Sequence, residues 1–236
     1  MNKSIGVFDS GIGGMTVLEE LKRVLPKENY IYYGDSLNNP YGEKNDEELL
    51  KIVCNVVDIL ISKNVKIIVI ACNTATTRCM KKLRKLYPDM IFVGTVPAIK
   101  MACDKGYKNT LVMATPATIF SRRTHELISD NKKDGQSITL LSCDGLAHLI
   151  EIGDKKGIIT KLNSIFNNYL DSNIDSIVLG CTHYPLIKDE INSYFPEADL
   201  LDGSNGVARE VKRQLELHDL LNDNGNCNCD IYNSLD

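Results

Sequence analysis

The sequence predicts an α/β protein built twice: two similar lobes with parallel-rich sheets, related by a pseudo-twofold axis, with the active site between them. Three observations predict it. Ile67-Ile68-Val69-Ile70-Ala71-Cys72-Asn73-Thr74 recurs as Ser176-Ile177-Val178-Leu179-Gly180-Cys181-Thr182-His183. Continuous runs of branched aliphatics between polar residues are the signature of strands buried on both faces of a parallel sheet. The two halves also stay in register, because Cys181 lies 109 residues after Cys72 and Asp199 lies 108 after Ile91.

In the first half, Ser4 to Phe8 reads as a strand and Asp9-Ser10-Gly11-Ile12-Gly13-Gly14 as a glycine-rich turn into a helix from about Thr16 to Leu25. A strand at Tyr30 to Tyr33 is followed by a loop dense in turn formers, with Gly34-Asp35 and Asn39-Pro40-Tyr41-Gly42. Asp35 reads as a cap or anchor of that loop, and Tyr41 and Gly42 as a wall of the cleft. The spacing Leu49, Leu50, Val53, Val56, Val57, Leu60 predicts a helix from Asp46 to about Ser62, with Asn45 or Asp46 as its cap. The Ile67 strand, a helix from about Thr76 to Leu86 ending before Pro88, and a strand at Met90 to Val93 complete the unit.

The second half repeats this order. Strands are expected at Thr110 to Ala114, Ile138 to Leu141, Ser176 to Gly180 and Asp199 to Leu201. Helices are expected at about Ile119 to Asn131, Leu146 to Glu151, Lys155 to Asp171, Pro185 to Ser193 and Asn205 to Leu221. The predicted division is 1–96 with about 207–236 as the first lobe and 97–206 as the second.

Composition narrows the function. The chain has 236 residues, is 43% hydrophobic and carries a formal net charge of -4 with no basic stripe, which argues against nucleic acid as a partner. No apolar run approaches the roughly 20 residues that span a bilayer, and the first residues carry no apolar signal segment. A cytoplasmic protein with no membrane partner is expected. Its eight cysteines then read as reduced thiols rather than a disulfide framework. Cys54, Cys79 and Cys103 fall in helical patterns as buried small hydrophobes. Cys227 and Cys229 fall in a polar tail and, as a lone C-x-C pair, receive no metal role. His125, His148 and His218 read as helix-surface residues.

The chemistry lies at the strand ends. In open α/β sheets ligands bind at the carboxyl edge, so two matched cysteines there point to one shared site for a small molecule. A single strand-end cysteine is more often a buried small residue, and the matched pair is what lifts the catalytic reading. A free thiol has a pKa of about 8.5 and serves as a base only with help, from a helix N-terminus or a nearby imidazole. Two such groups flanking one carbon can remove a proton from one face and return it on the other. The developing negative charge then needs fixed donors: backbone amides after each cysteine, with Ser10, Asn73, Thr74, Thr115, Thr118 and Thr182. No lysine stands out as a pyridoxal anchor, and no cofactor or metal is expected. Ser10 to Gly14 lacks the order of a nucleotide-binding glycine loop. Glu151 reads either as a solvated residue or as a site carboxylate.

Four motifs together carry a specific resemblance: Phe8-Asp9-Ser10-Gly11-Ile12-Gly13-Gly14, Pro40-Tyr41-Gly42, Ala71-Cys72-Asn73-Thr74-Ala75-Thr76 and Gly180-Cys181-Thr182-His183-Tyr184-Pro185. They resemble the aspartate/glutamate racemase family, glutamate racemases in particular, from Ser4 to about Glu210. The resemblance implies cofactor-independent interconversion of L- and D-glutamate for peptidoglycan, in a bacterial, cytoplasmic and commonly dimeric enzyme. It implies that Cys72 takes the α-proton of D-glutamate and Cys181 that of L-glutamate, with Asp9 assisting Cys72 and His183 assisting Cys181. Substrate contacts are implied for Asp9, Ser10, Tyr41, Gly42, Asn73, Thr74, Thr115, Thr118, Thr182 and His183, and Glu151 matches a family acid less directly. An aspartate racemase of the same fold and a non-catalytic binding protein of that fold are the alternatives. Cys143-Asp144-Gly145 stands where the family often has a proline-containing turn, and the chain stops at Asp236, where the family usually continues with a strand and a closing helix.

Overall fold

The computed structural model describes residues 3–236. They fall into two compact units, one comprising the described residues up to Thr95 with Ser204–Asp236, the other Val96–Gly203.

In the first unit β1 (Ile5–Asp9), β2 (Tyr30–Gly34), β3 (Ile67–Ile70), β4 (Phe92–Gly94) and β9 (Cys229–Asn233) form one sheet of order β4-β3-β1-β2-β9, every pair parallel. Helices cover both faces. Val17, Leu18 and Leu21 of α1 (Met15–Val24) and Val207, Ala208, Val211 and Leu215 of α10 (Ser204–Leu217) pack on Ile5, Val7, Ile67 and Val69. The opposite face meets Leu49, Val53, Val56, Val57 and Leu60 of α2 (Asp46–Ser62) and Ala75, Cys79 and Leu83 of α3 (Asn73–Leu86). All four side chains of β3 have no exposed surface, as the unbroken aliphatic run requires. Burying each contributes roughly 1.5–3 kcal/mol.

The second unit holds β5 (Asn109–Ala114), β6 (Ser137–Ser142), β7 (Ser176–Leu179) and β8 (Asp199–Leu201) in the order β6-β5-β7-β8, again all parallel. One face carries α4 (Ile99–Lys105) and α6 (Arg122–Asn131), the other α7 (Leu146–Glu151), α8 (Lys155–Phe166) and α9 (Lys188–Asn192). Read from the other edge, β8-β7-β5-β6 repeats β4-β3-β1-β2, so the echo in sequence is an echo in topology. Cys72 follows β3 and Cys181 follows the equivalent β7.

Several elements depart from the sequence expectation. The helix after Cys72 begins at Asn73, three residues early, because Thr76 N–H already bonds Cys72 O over 2.9 Å. The helix expected from Ile119 to Asn131 is two: α5 (Pro116–Ile119), begun by a proline at its first turn, and α6, restarted by Ser121, whose hydroxyl accepts from Thr124 N–H. Instead of one helix from Pro185 to Ser193 there is a 3-10 turn at Tyr184–Ile187 and the five-residue α9. The helices expected to reach Asp171 and Leu221 end at Phe166 and Leu217. Cys227 and Cys229, expected in a polar tail, pack half-buried against the first unit's core, and Cys229 opens β9. Cys79 and Cys103 are buried as expected, but Cys54 is only half-buried on the rim of α2.

Candidate active site

The two thiols, one in each unit, sit at strand ends of matching topology and different chemistry. In the first unit, β1 delivers Asp9 and Ser10 and β3 delivers Cys72, Asn73 and Thr74 at the sheet's carboxyl edge. All five are buried, Asp9 completely. Cys72 occupies the N-cap position of the fourteen-residue α3, where the helix dipole favours negative charge on sulfur. Its Sγ–H donates to Ser10 Oγ over 3.9 Å. Asp9 Oδ2 accepts from Gly14 N–H at 2.9 Å, and Tyr32 Oη donates to Gly11 O at 2.6 Å, so the glycine turn closes over the aspartate. A Cβ on Gly14 would stand 2.5 Å from Asp9 Cβ and 2.8 Å from Tyr32 Oη, and only glycine lets the turn approach this closely.

The loop after β2 adds the third wall. Asp35, buried, accepts from Tyr41 Oη at 2.7 Å and from Asn38 Nδ2 at 3.0 Å, and its own N–H donates to Asp9 O. Asp35 therefore anchors the loop. Burial, with Asp35 beside it, pushes the Tyr41 phenol far above its ordinary range, so Tyr41 remains a neutral donor. Gly42 beside it is half-buried. Asn73 Oδ1 is buried with no hydrogen-bond partner among the described residues, an acceptor that a bound donor would satisfy.

In the second unit Gly180 lets β7 end against β5: a Cβ there would lie 2.8 Å from Met113 O. Cys181, Thr182 and His183 follow, all buried. A four-residue 3-10 turn follows them in place of a long helix, so the dipole assistance present at Cys72 is largely missing. An imidazole stands in instead. His183 Nδ1 is 3.8 Å from Cys181 Sγ, and its Nε2 is 2.6 Å from Glu151 Oε2. Glu151, the last residue of α7, thus meets a ring 32 positions away. A carboxylate on Nε2 fixes the ring and leaves Nδ1 facing the sulfur.

Thr115 takes the N-cap position of α5, and its hydroxyl donates to Thr118 Oγ1 at 3.3 Å. Thr118 is buried, and its carbonyl accepts from Thr124 Oγ1. Thr115 follows β5 as Ser10 follows β1, whereas Ala114 stands at the position of Asp9, and the carboxylate near Cys181 comes from α7 instead. Cys143 is a third thiol that the sequence did not single out. It is buried, donates to Leu141 O over 3.4 Å, and burial pushes its pKa up to about 12. It therefore stays protonated. The turn expected to differ here runs through Gly145 at φ 72.

His125 and His148 are exposed on helices, as expected, and His218 is exposed in the turn just after α10. Among the described residues no group of three or more His, Cys, Asp or Glu side chains is arranged to hold a metal ion, and no helix is long and apolar enough to cross a membrane.

Comparison with known proteins agrees with this layout. A profile of the family described as Asp/Glu/Hydantoin racemase matches residues 5–210. A glutamate racemase of Clostridium perfringens is 43% identical over 240 residues, covering 100% of this chain and 92% of its own. Among solved structures, a Bacillus anthracis glutamate racemase superposes with a TM-score of 0.85 at 28% identity, covering 98% of this chain and 88% of that one. A Francisella tularensis glutamate racemase solved in complex with D-glutamate gives 0.83 at 30% identity, covering 99% and 88%. With its thiols at equivalent strand ends and a family match across both units, the chain belongs to the Asp/Glu/Hydantoin racemase family of isomerases.

Proposed function

We propose that this chain is a cofactor-independent glutamate racemase using Cys72 and Cys181 as its two acid/base groups. The observation that carries the proposal is the equivalence of the strand ends bearing the two thiols, each with its own activating group. From L-glutamate, Cys181 as thiolate takes the α-proton and Cys72 as thiol returns one to the opposite face. From D-glutamate the roles exchange. His183, backed by Glu151, accepts or supplies the proton at Cys181, and Asp9 does so at Cys72. Removing a proton beside a carboxylate demands fixed donors for the charge that develops. Ser10, Thr74, Thr115, Thr118 and Thr182, with nearby backbone amides, are suited to the carboxylates. Asn73 Oδ1 suits the ammonium group, and Tyr41 and Gly42 close the side. That relatives matching the full chain are glutamate racemases supports the substrate assignment. The proposal further places the enzyme in the cytoplasm as a homodimer supplying D-glutamate for peptidoglycan.

Circular dichroism of reactions begun with each enantiomer of glutamate and of aspartate tests the substrate. Loss of optical activity with glutamate is expected, whereas turnover of aspartate alone assigns the chain to the sister activity. A binding protein without turnover would leave the α-hydrogen unexchanged in heavy water. Cys72→Ser and Cys181→Ser should each lower racemisation by at least about a hundredfold, the scale of a lost general base. With a glutamate analogue carrying a β-leaving group, each variant should still eliminate from one enantiomer only, Cys72→Ser from L and Cys181→Ser from D. Full racemisation by either variant sinks the two-base scheme.

A further inference from the structure

The last strand of the chain reaches the loop that carries Tyr41 and Gly42. β9 runs parallel to β2 with Asn233 opposite Gly34, and Ser234 N–H donates to Gly34 O at 2.9 Å. From that point two side chains cross to the loop. Leu37 N–H donates to Ser234 Oγ at 2.8 Å, and Asn233 Nδ2 donates to Ser36 Oγ at 3.0 Å. On its inner side the same loop hangs on Asp35, through Asn38 and Tyr41, and on Ser10 O, which accepts from Asn39 Nδ2 at 3.1 Å. The turn at Ser36–Asn38 is thus held from both sides, outside by residues 197 positions further on.

The start of β9 is fixed as firmly. Lys66 Nζ donates to Leu220 O at 2.6 Å and pairs with Glu28, which accepts from Asn222 N–H at 2.9 Å. Asn228 N–H donates to Asn29 Oδ1, and Tyr30 N–H donates to Asn228 O. A strand pinned at its start and paired residue by residue has one register. That register decides whether Ser234 reaches Leu37.

We propose that Asn233 and Ser234 are positioning residues for the substrate loop, setting the place of Tyr41 and Gly42 through Ser36 and Leu37. The inference rests on the racemase reading, in which those two residues contact glutamate, and extends it to the carboxyl end of the chain. Freeing the outer side of the loop weakens contacts made alike in the bound substrate and in the transition state. Such uniform loss raises KM and leaves kcat in place.

The test compares the wild-type chain with the Asn233→Ala/Ser234→Ala double variant, following racemisation from both enantiomers. KM should rise roughly fivefold to tenfold in each direction, the scale of one or two modest hydrogen bonds, with kcat within about twofold of wild type. Ser234→Thr, which keeps the hydroxyl, should stay near wild type in KM, as should Leu235→Ala, whose exposed side chain lies beyond the bonds to the loop. A folded double variant with wild-type KM overturns the proposal, as does a variant that loses kcat alone. Should the double variant not fold, Ser234→Ala alone decides by the same criterion. A wild-type chain that does not racemise glutamate refutes the underlying reading instead.

Discussion

At the scale of single residues the two thiols differ in what prepares them. Cys72 has a helix start, and Cys181 has His183 held by Glu151 over 2.6 Å. Glu151→Gln keeps the shape of the side chain but removes the charge that stabilises an imidazolium at His183, and a roughly tenfold to hundredfold loss of kcat/KM is expected. Because enantiomers have equal free energy, that loss must be the same from L- and D-glutamate. The asymmetry belongs in a one-sided reaction. Elimination of a β-leaving group should slow from the L analogue, whose proton goes to Cys181 in the proposed scheme, and hold from the D analogue; equal slowing of both would show that Glu151 does not act through Cys181. The thiols themselves were legible because an aliphatic run ending in cysteine occurs twice. Glu151 was not, since its position on a short apolar helix fits a solvated residue equally well and its partner lies in a different element. Cys143 gave no signal either, because a single cysteine in a turn looks the same whether it is inert or reactive.

At the scale of elements, the strands buried on both faces were readable to within about two residues, since burial on both faces writes itself as an aliphatic run. The interrupted helices and β9 were harder. Ser121 restarts a helix with a single capping hydroxyl inside a pattern that otherwise reads as continuous. β9 is an edge strand whose Ile231 and Tyr232 are both exposed, so neither an aliphatic run nor a polar alternation marks it. Its placement depends on the buried Lys66–Glu28 pair and on the backbone groups of Leu220 and Asn222 that the pair satisfies. Lys66→Met leaves the Glu28 carboxylate buried without its cation and the Leu220 carbonyl without its donor. Breaking a buried pair from one side costs about 3–5 kcal/mol, so a large fall in the urea midpoint is expected. A companion Glu28→Gln change should return part of it, since the charge left alone is then gone. A Lys66→Met variant as stable as wild type would show that the pair does not hold the tail.

At the scale of the whole molecule, each unit solves the same packing problem with the same strand order, and each keeps ionisable groups neutral inside its core. Burial pushes Cys79 of the first unit up to about 11 and Cys143 of the second up to about 12, from 9.0. Burial also raises the phenols of Tyr30 and Tyr41 in the first unit and Tyr184 in the second. For every one of these groups the folded chain holds its proton to a higher pH than the unfolded chain does. Below about pH 9 both states are protonated and folding stability is insensitive to them. From 9 upward the unfolded chain releases protons that the folded chain retains, so stability falls through the window from about 9 to 12. Urea midpoints under reducing conditions should therefore be level between pH 7 and 8.5 and then drop steeply in both units. Cys143→Ala should start from a lower midpoint because it opens a cavity, but its decline above pH 9 should be shallower, since one retained proton has been removed. A midpoint unchanged up to pH 11, or a Cys143→Ala decline as steep as wild type, would mean that these thiols are not shielded from water as their burial implies.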